Sequence, residues 1–178
     1  MKFIVLYGVP GSGKKTVGLE LEKLTGIQLM DNHSVIDLVR KFLPQKYPVS
    51  VSTAREIRKL LIKGMIEINV PGVITTIAGG SAGAVTYIQE CSNLIEKSGG
   101  EVYLIKLQCN LDEVRKRIEH PSRKQHFKIV TQHELDEFLQ KDYFKGLPGR
   151  ESLVIDNTHF TPEECAQKIV QELGLPLI

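Results

Sequence analysis

The chain has no tryptophan, three cysteines and 6% aromatic residues, and its 23 basic and 21 acidic residues leave a net charge of only +2. These scarcities exclude classes of function. Near-neutral charge without an aromatic cluster for base stacking argues against nucleic acid as the main partner, and against an anionic membrane surface. Cys91, Cys109 and Cys165 are odd in number and widely spaced, which fits neither a disulfide framework nor a zinc ribbon. Cys165 falls four residues before Ile169 in a helical pattern and reads as a small buried hydrophobe. His120 and His126 find no third ligand at zinc spacing. Long apolar runs are missing too. The opening MKFIVLYGV is too short in its apolar part for a secretory signal, has no A-x-A site after it, and reads as a buried strand of a cytoplasmic protein.

What remains is an ordinary globular composition, 42% hydrophobic and 25% charged over 178 residues, enough for one domain with one substantial core. Periodicity gives the order of elements. KFIVLY (2–7), IQLM (27–30), VITTIA (73–78), EVYLIKLQC (101–109) and ESLVID (151–156) are short β-rich runs bounded by glycine, proline or polar residues. Between them lie helical patterns: Lys14 to Leu24, ended by Gly26, and Ser34 to Phe42 with Val35, Leu38, Val39 and Phe42 inward. Another starts from a capping box at Thr53 and Glu56, with Ile57, Leu60, Leu61 and Ile68 on one side. Ala84 to Lys97 follows, then a helix capped by Asn110 that runs to about Glu119. A Thr131/Glu134 box opens a helix reaching Tyr143, and the last starts at Thr161-Pro162. Strands alternating with helices predict an α/β fold, a parallel sheet covered on both faces.

Gly8-Val9-Pro10-Gly11-Ser12-Gly13-Lys14 is a phosphate-binding pattern placed between a buried strand and a helix N-terminus, as its mechanism requires. Glycines let backbone N–H groups converge on an anion, the helix end adds partial positive charge, and Lys14 reaches the outer phosphates. A tight Gly/Pro turn would explain Gly8, Pro10 and Gly11 but not Gly13-Lys14.

With this loop and element order the chain resembles the small P-loop kinases of the shikimate kinase-like and nucleoside-monophosphate (adenylate) kinase-like group, over essentially its whole length. The resemblance implies a three-layer P-loop NTPase fold, a five-stranded parallel sheet in the order 2-3-1-4-5, within one domain spanning 1–178. It implies a lid at about 119–132 and ATP with Mg²⁺ as cofactors. Gly8, Pro10, Gly11, Ser12, Gly13, Lys14, Lys15 and Thr16 would then hold the nucleotide. The position after Lys14 is a metal-binding hydroxyl in shikimate kinase-like loops; here it is Lys15, followed by Thr16, as in adenylate kinase-like loops that read G-K-G-T. Thr16 would bond an α- or β-phosphate, and Mg²⁺ would be held by nucleotide oxygens, water and carboxylates, with Asp31 and Thr16 as its nearest protein groups. Lys15 itself is read as facing solvent.

The triplet Asp31-Asn32-His33 ends the second strand, at the carboxyl edge of the sheet where ligands gather. The resemblance assigns Asp31 a metal-side or base role and puts His33 at the acceptor position in place of an acid, a departure that argues against shikimate itself. The rival reading of Asp31 is a helix cap. Arg55 and Arg58, three apart on one helix, would grip an anionic group of the acceptor, and Gly79 and Gly80 would approach it closely. Arg117 and Arg123, in the basic stretch 115–128, are the lid arginines that would join Lys14 and Asp31 in catalysis. No acid ends the third strand, and Asp156-Asn157-Thr158-His159 would border the base. The function expected is transfer of the ATP γ-phosphoryl to a small hydroxyl- or phosphate-bearing acceptor by a monomer or homodimer. Alternatives are a nucleoside-monophosphate kinase and a nucleotide-binding regulatory or NTPase module without an acceptor.

Overall fold

The computed structural model describes residues 1–43, 47–78, 82–121, 128–141 and 145–178. In chain order the elements are β1 (Lys2–Tyr7), α1 (Lys14–Thr25), β2 (Gln28–Met30), α2 (Asn32–Phe42), α3 (Tyr47–Glu67), β3 (Gly72–Ile77), α4 (Ala82–Lys97), β4 (Glu101–Gln108), α5 (Leu111–Ile118), α6 (Gln132–Gln140), β5 (Leu153–Asp156) and α7 (Pro162–Leu173). The five strands form one parallel sheet in the order β2-β3-β1-β4-β5, as expected. Central β1 pairs Tyr7 with Ile77 on one side and Lys106 on the other, so the loop that follows it leaves from the middle of the carboxyl edge.

Side-chain alternation along β1 builds a core on each face. Phe3, Val5 and Tyr7 pack with Ile62 of α3 and with Tyr87, Ile88, Cys91 and Ile95 of α4. Ile4 and Leu6 turn the other way, onto Val17 and Leu21 of α1 and Cys165 and Ile169 of α7. Every residue of β1 from Phe3 on is buried, which its unbroken apolar sequence required. All three cysteines are buried and free, Cys165 among them as expected, and burial pushes the Cys165 thiol up to about 11. The local caps form as read: Asn110 Oδ1 accepts from the Asp112 amide, and Thr131/Glu134 and Thr161/Glu164 make reciprocal capping boxes. No helix among the described residues is long and apolar enough to cross a membrane.

Helix α3 departs from expectation. It begins at Tyr47, so Thr53 lies inside it and caps nothing; Pro48, in the first turn, lacks only an N–H that a helix start leaves unbonded anyway. Its buried stripe is Ala54, Arg58 and Ile62, four residues apart, whereas Leu60, Leu61 and Ile68 are exposed. An arginine at a core position displaced the apparent apolar face. Leu38 and Phe42 of α2 are likewise exposed, and Val35, Ile36 and Val39 make the buried side.

Gly8 tests how tightly the loop is seated. With φ +150°, it runs so close to β4 that a Cβ would stand 2.4 Å from the Leu107 carbonyl oxygen, a backbone atom that cannot move aside. Gly8→Ala should therefore cost about 3 kcal/mol or more, lowering the thermal midpoint by roughly 6–12 °C in a chain of this size. Gly64→Ala, in α3 with nothing within 4 Å of its would-be Cβ, should be neutral or stabilising by up to about 1 kcal/mol. Equal midpoints for the two variants would show that the loop is not held against β4 as described.

Candidate active site

The loop from Gly8 to Lys14 turns through Gly8, Gly11 and Gly13 at positive φ, and Gly13, at φ 85°, is the N-cap of α1. These conformations aim amides and the α1 N-terminus at one concavity. Lys14 Nζ folds back over it and donates to the carbonyls of Gly8 (2.9 Å) and Val9 (2.8 Å). Ser12 is fully buried, and its carbonyl accepts from Asn157 Nδ2 at 2.8 Å. Thr16 is exposed, its hydroxyl donating to the Gly13 carbonyl at 2.8 Å.

Asp31 stands beside this loop at the end of β2, 4% exposed. Its Oδ1 accepts from the Thr76 hydroxyl of β3 at 2.7 Å, and the same hydroxyl accepts from the Asn32 amide at 2.9 Å. Asp31 occupies the N-cap position of α2 without a side-chain capping hydrogen bond, so capping is not what its carboxylate does. Lys15 faces solvent only in part: its side chain is 39% exposed and its Nζ lies 3.6 Å from Asp31 Oδ2. Burial presses the Asp31 carboxyl toward its neutral form, but the Thr76 hydroxyl, the Lys15 ammonium and His33 outweigh it and hold it below the ordinary carboxylate value. Thr76 escaped the sequence reading because a threonine in VITTIA signals only a strand.

His33 follows on the first turn of α2, its Nδ1 3.6 Å from Asp37 Oδ1 one turn on. Burial, aided by Lys128, outweighs the pull of Asp31 and Asp37 and keeps the imidazole below its ordinary 6.5, neutral at pH 7. Arg58 is 3% exposed and donates through Nη2 to the Asn32 carbonyl. Burial lowers its affinity for the proton, opposed by Tyr87 and Asp31 beside it, and its Nε makes no hydrogen bond among the described residues. Arg55, three residues earlier, is half-buried. Asp31, His33 and Arg58 are therefore brought together at the β2–β3 end of the carboxyl edge.

Arg117 goes to the other end. From α5 it bonds Glu113 Oε1 at 2.9 Å and donates to the carbonyls of Asn157 and Thr158. The turn 156–159 is held by Asp156, whose Oδ1 accepts from the Thr158 hydroxyl and amide, and Thr158 Oγ1 in turn accepts from the Asn110 amide. Asn157, 2% exposed, ties this turn to the phosphate loop, a contact across 145 positions that spacing does not reveal. Gly79, Gly80, Arg123 and the middle of the expected lid, 122–127, lie outside the described residues. On its described flank, Ile129, Leu135 and Leu139 pack with Val114 and Ile118 of α5 and with Val9 of the loop.

Of the groups expected nearest Mg²⁺, the Thr16 hydroxyl donates to Gly13 and Asp31 Oδ2 lies 3.6 Å from the Lys15 ammonium; no cluster of three His, Cys, Asp or Glu side chains suited to a metal occurs among the described residues.

No protein-family model matches the chain. It is 28% identical over 174 residues to a shikimate kinase of Thermodesulfovibrio yellowstonii, covering 97% of this chain and 95% of the other. Among solved structures, a candidate kinase of Chloroflexus aurantiacus superposes with a TM-score of 0.72 at 14% identity, covering 96% of this chain and 97% of that one. The shikimate kinase of Acinetobacter baumannii in complex with shikimate gives a TM-score of 0.62 at 19% identity, covering 96% and 92%. At such identities the structures speak for the fold, and the curated relative extends the likeness along the whole sequence. With its phosphate loop at the end of β1 and its 2-3-1-4-5 sheet, the chain has the fold of the small P-loop kinases.

Proposed function

We propose that this protein transfers the γ-phosphoryl of ATP to a hydroxyl of a small acceptor bound between the ends of β2 and β3 and the buried face of α3. The observation that carries the reading is Asp31: a buried, ionised carboxylate held by Thr76 on the same sheet edge as Lys14, with Oδ2 taking no hydrogen bond among the described residues. A desolvated carboxylate with an open oxygen beside a phosphate loop is arranged to take a proton from a nucleophile.

The loop amides and Lys14 hold the phosphates, Lys14 exchanging the Gly8 and Val9 carbonyls for phosphate oxygens. The acceptor hydroxyl lies on Asp31 Oδ2; its oxygen bonds the γ-phosphorus as the bond to the β–γ bridging oxygen breaks, its proton passes to the carboxylate, and ADP leaves. Neutral His33 hydrogen-bonds the acceptor, and Arg58 and Arg55 face its anionic group. Arg117 fixes the 156–159 turn at the base. Mg²⁺ arriving with ATP would neutralise charge on its phosphates, with Asp31 and Thr16 as the nearest protein groups.

Three measurements test this. Lys14→Ala should weaken ATP binding by about tenfold or more, the scale of a lost charge-assisted bond, and unchanged affinity in the folded variant would remove the phosphate-loop reading. A screen of ATP consumption against sugars, hydroxy acids, nucleosides and nucleotides should reveal one acceptor class; with that acceptor, Asp31→Asn should lower kcat about 100-fold or more and leave ADP affinity within about threefold. Wild-type turnover in Asp31→Asn would transfer the base role to His33. Thr76→Val removes a bond that favours the charged carboxylate, so Asp31 should titrate higher and the acid limb of kcat/KM should move to higher pH. A limb that stays in place would separate Asp31 from the rate.

A further inference from the structure

Lys15 stands one residue into α1 and, with its side chain 39% exposed, directs its ammonium toward Asp31. The oxygen it meets belongs to a side chain 4% exposed, and that oxygen has no hydrogen bond among the described residues. At 3.6 Å the pair is longer than a charge-assisted hydrogen bond, which spans about 2.7–2.9 Å. The pair is thus a charge contact and not a hydrogen bond, and it stands beside the phosphate loop.

A divalent cation fits beside this pair poorly. Mg²⁺ demands octahedral oxygens at about 2.0–2.1 Å, and here it would meet an ammonium of its own sign. The position after Lys14, where a metal-binding hydroxyl would stand, carries the Lys15 ammonium instead. The ammonium, by contrast, has three protons to place, and one directed at Asp31 leaves two for phosphate oxygens.

We infer that Lys15 takes the electrostatic part of a protein-anchored divalent cation in this site: tethered to Asp31, it donates to the outer phosphate oxygens, so that nucleoside di- and triphosphates bind as free anions about as tightly as their Mg²⁺ complexes. The inference rests on the nucleotide-binding reading above and adds to it a chain of contacts, phosphate to Lys15 to Asp31 to Thr76. Arrival of the nucleotide then braces the carboxylate that faces the acceptor. Lys15 acts on the nucleotide directly and on the acceptor only through Asp31.

Calorimetric titration of the full chain with ADP, in EDTA and in excess Mg²⁺, tests it without any acceptor or turnover. The wild-type dissociation constant should differ by less than about threefold between the two conditions. Lys15→Ser, which returns a hydroxyl to this position, should lose about tenfold or more in EDTA and recover most of it with Mg²⁺, whereas Lys15→Met should be weak in both. Thermal midpoints of both variants check folding, and the wild-type comparison stands without them. Tightening of wild-type binding by tenfold or more on adding Mg²⁺, or wild-type affinity of Lys15→Ser in EDTA, would overturn the inference and leave the kinase reading in place. No ADP binding in either condition would overturn both.

Discussion

Burying a carboxylate costs several kcal/mol unless its partners are well placed, and the site depends on how that cost is met at Asp31. Thr76 supplies a hydroxyl from the adjacent strand at 2.7 Å, and Lys15 supplies charge from the phosphate loop. Both partners require the same geometry: parallel pairing that sets Met30 of β2 beside Thr75 of β3, and β3 beside β1, so that the two strand ends and the loop share one edge. The hydroxyl also accepts from the Asn32 amide, so one side chain fixes both the carboxylate and the start of α2 that carries His33. The position of the chemistry is thus a consequence of strand register.

The opposite half of the edge is built by different means. There the holding groups are backbone carbonyls and one buried amide side chain: Asn157 grips Ser12, and Arg117 spans the Asn157 and Thr158 carbonyls while paired to Glu113. β5 is a short edge strand with Val154 half exposed, and these contacts bind its end to the loop that β1 delivers. A nucleotide phosphate therefore meets a loop fastened from both sides, by Lys15–Asp31 toward β2 and by Asn157 toward β5. Rigidity of this kind keeps the converging amides from needing reorganisation when an anion arrives.

Features that depend on near neighbours were legible in the sequence. The phosphate loop and the caps at Asn110, Thr131 and Thr161 appear where read, because each is decided within a few residues, and the strand order is the one the resemblance implied. Features decided by distant partners were not. The direction of Lys15 depends on a carboxylate at the end of another strand, and Thr76 acquires its role only because β3 lies beside β2. Helix α3 misled for a physical reason: Arg58 takes a place in the buried stripe between Ala54 and Ile62, so the residues that looked like the core face, Leu60, Leu61 and Ile68, point outward. A charged residue in the core of an amphipathic helix is a local inconsistency of the kind found where function overrides packing.

The two halves also differ in what remains unsatisfied before a ligand arrives. On the nucleotide side Lys14 already donates to two carbonyls, so phosphate binding gains only the difference between neutral and charged acceptors, roughly a twofold strengthening per bond. On the acceptor side Asp31 Oδ2, Arg58 Nε and the Tyr87 hydroxyl are buried without hydrogen bonds among the described residues. Each such group carries a desolvation penalty of about 1–3 kcal/mol that a fitting ligand relieves. An acceptor of the kind proposed above, offering a hydroxyl to the carboxylate and an anionic oxygen to the guanidinium, would recover part of that penalty. On that reading selectivity would follow the acceptor, because Asp31 Oδ2, Arg58 Nε and the Tyr87 hydroxyl lie on its half, whereas Asn157 Oδ1 is the buried side-chain atom without a hydrogen bond on the nucleotide half among the described residues.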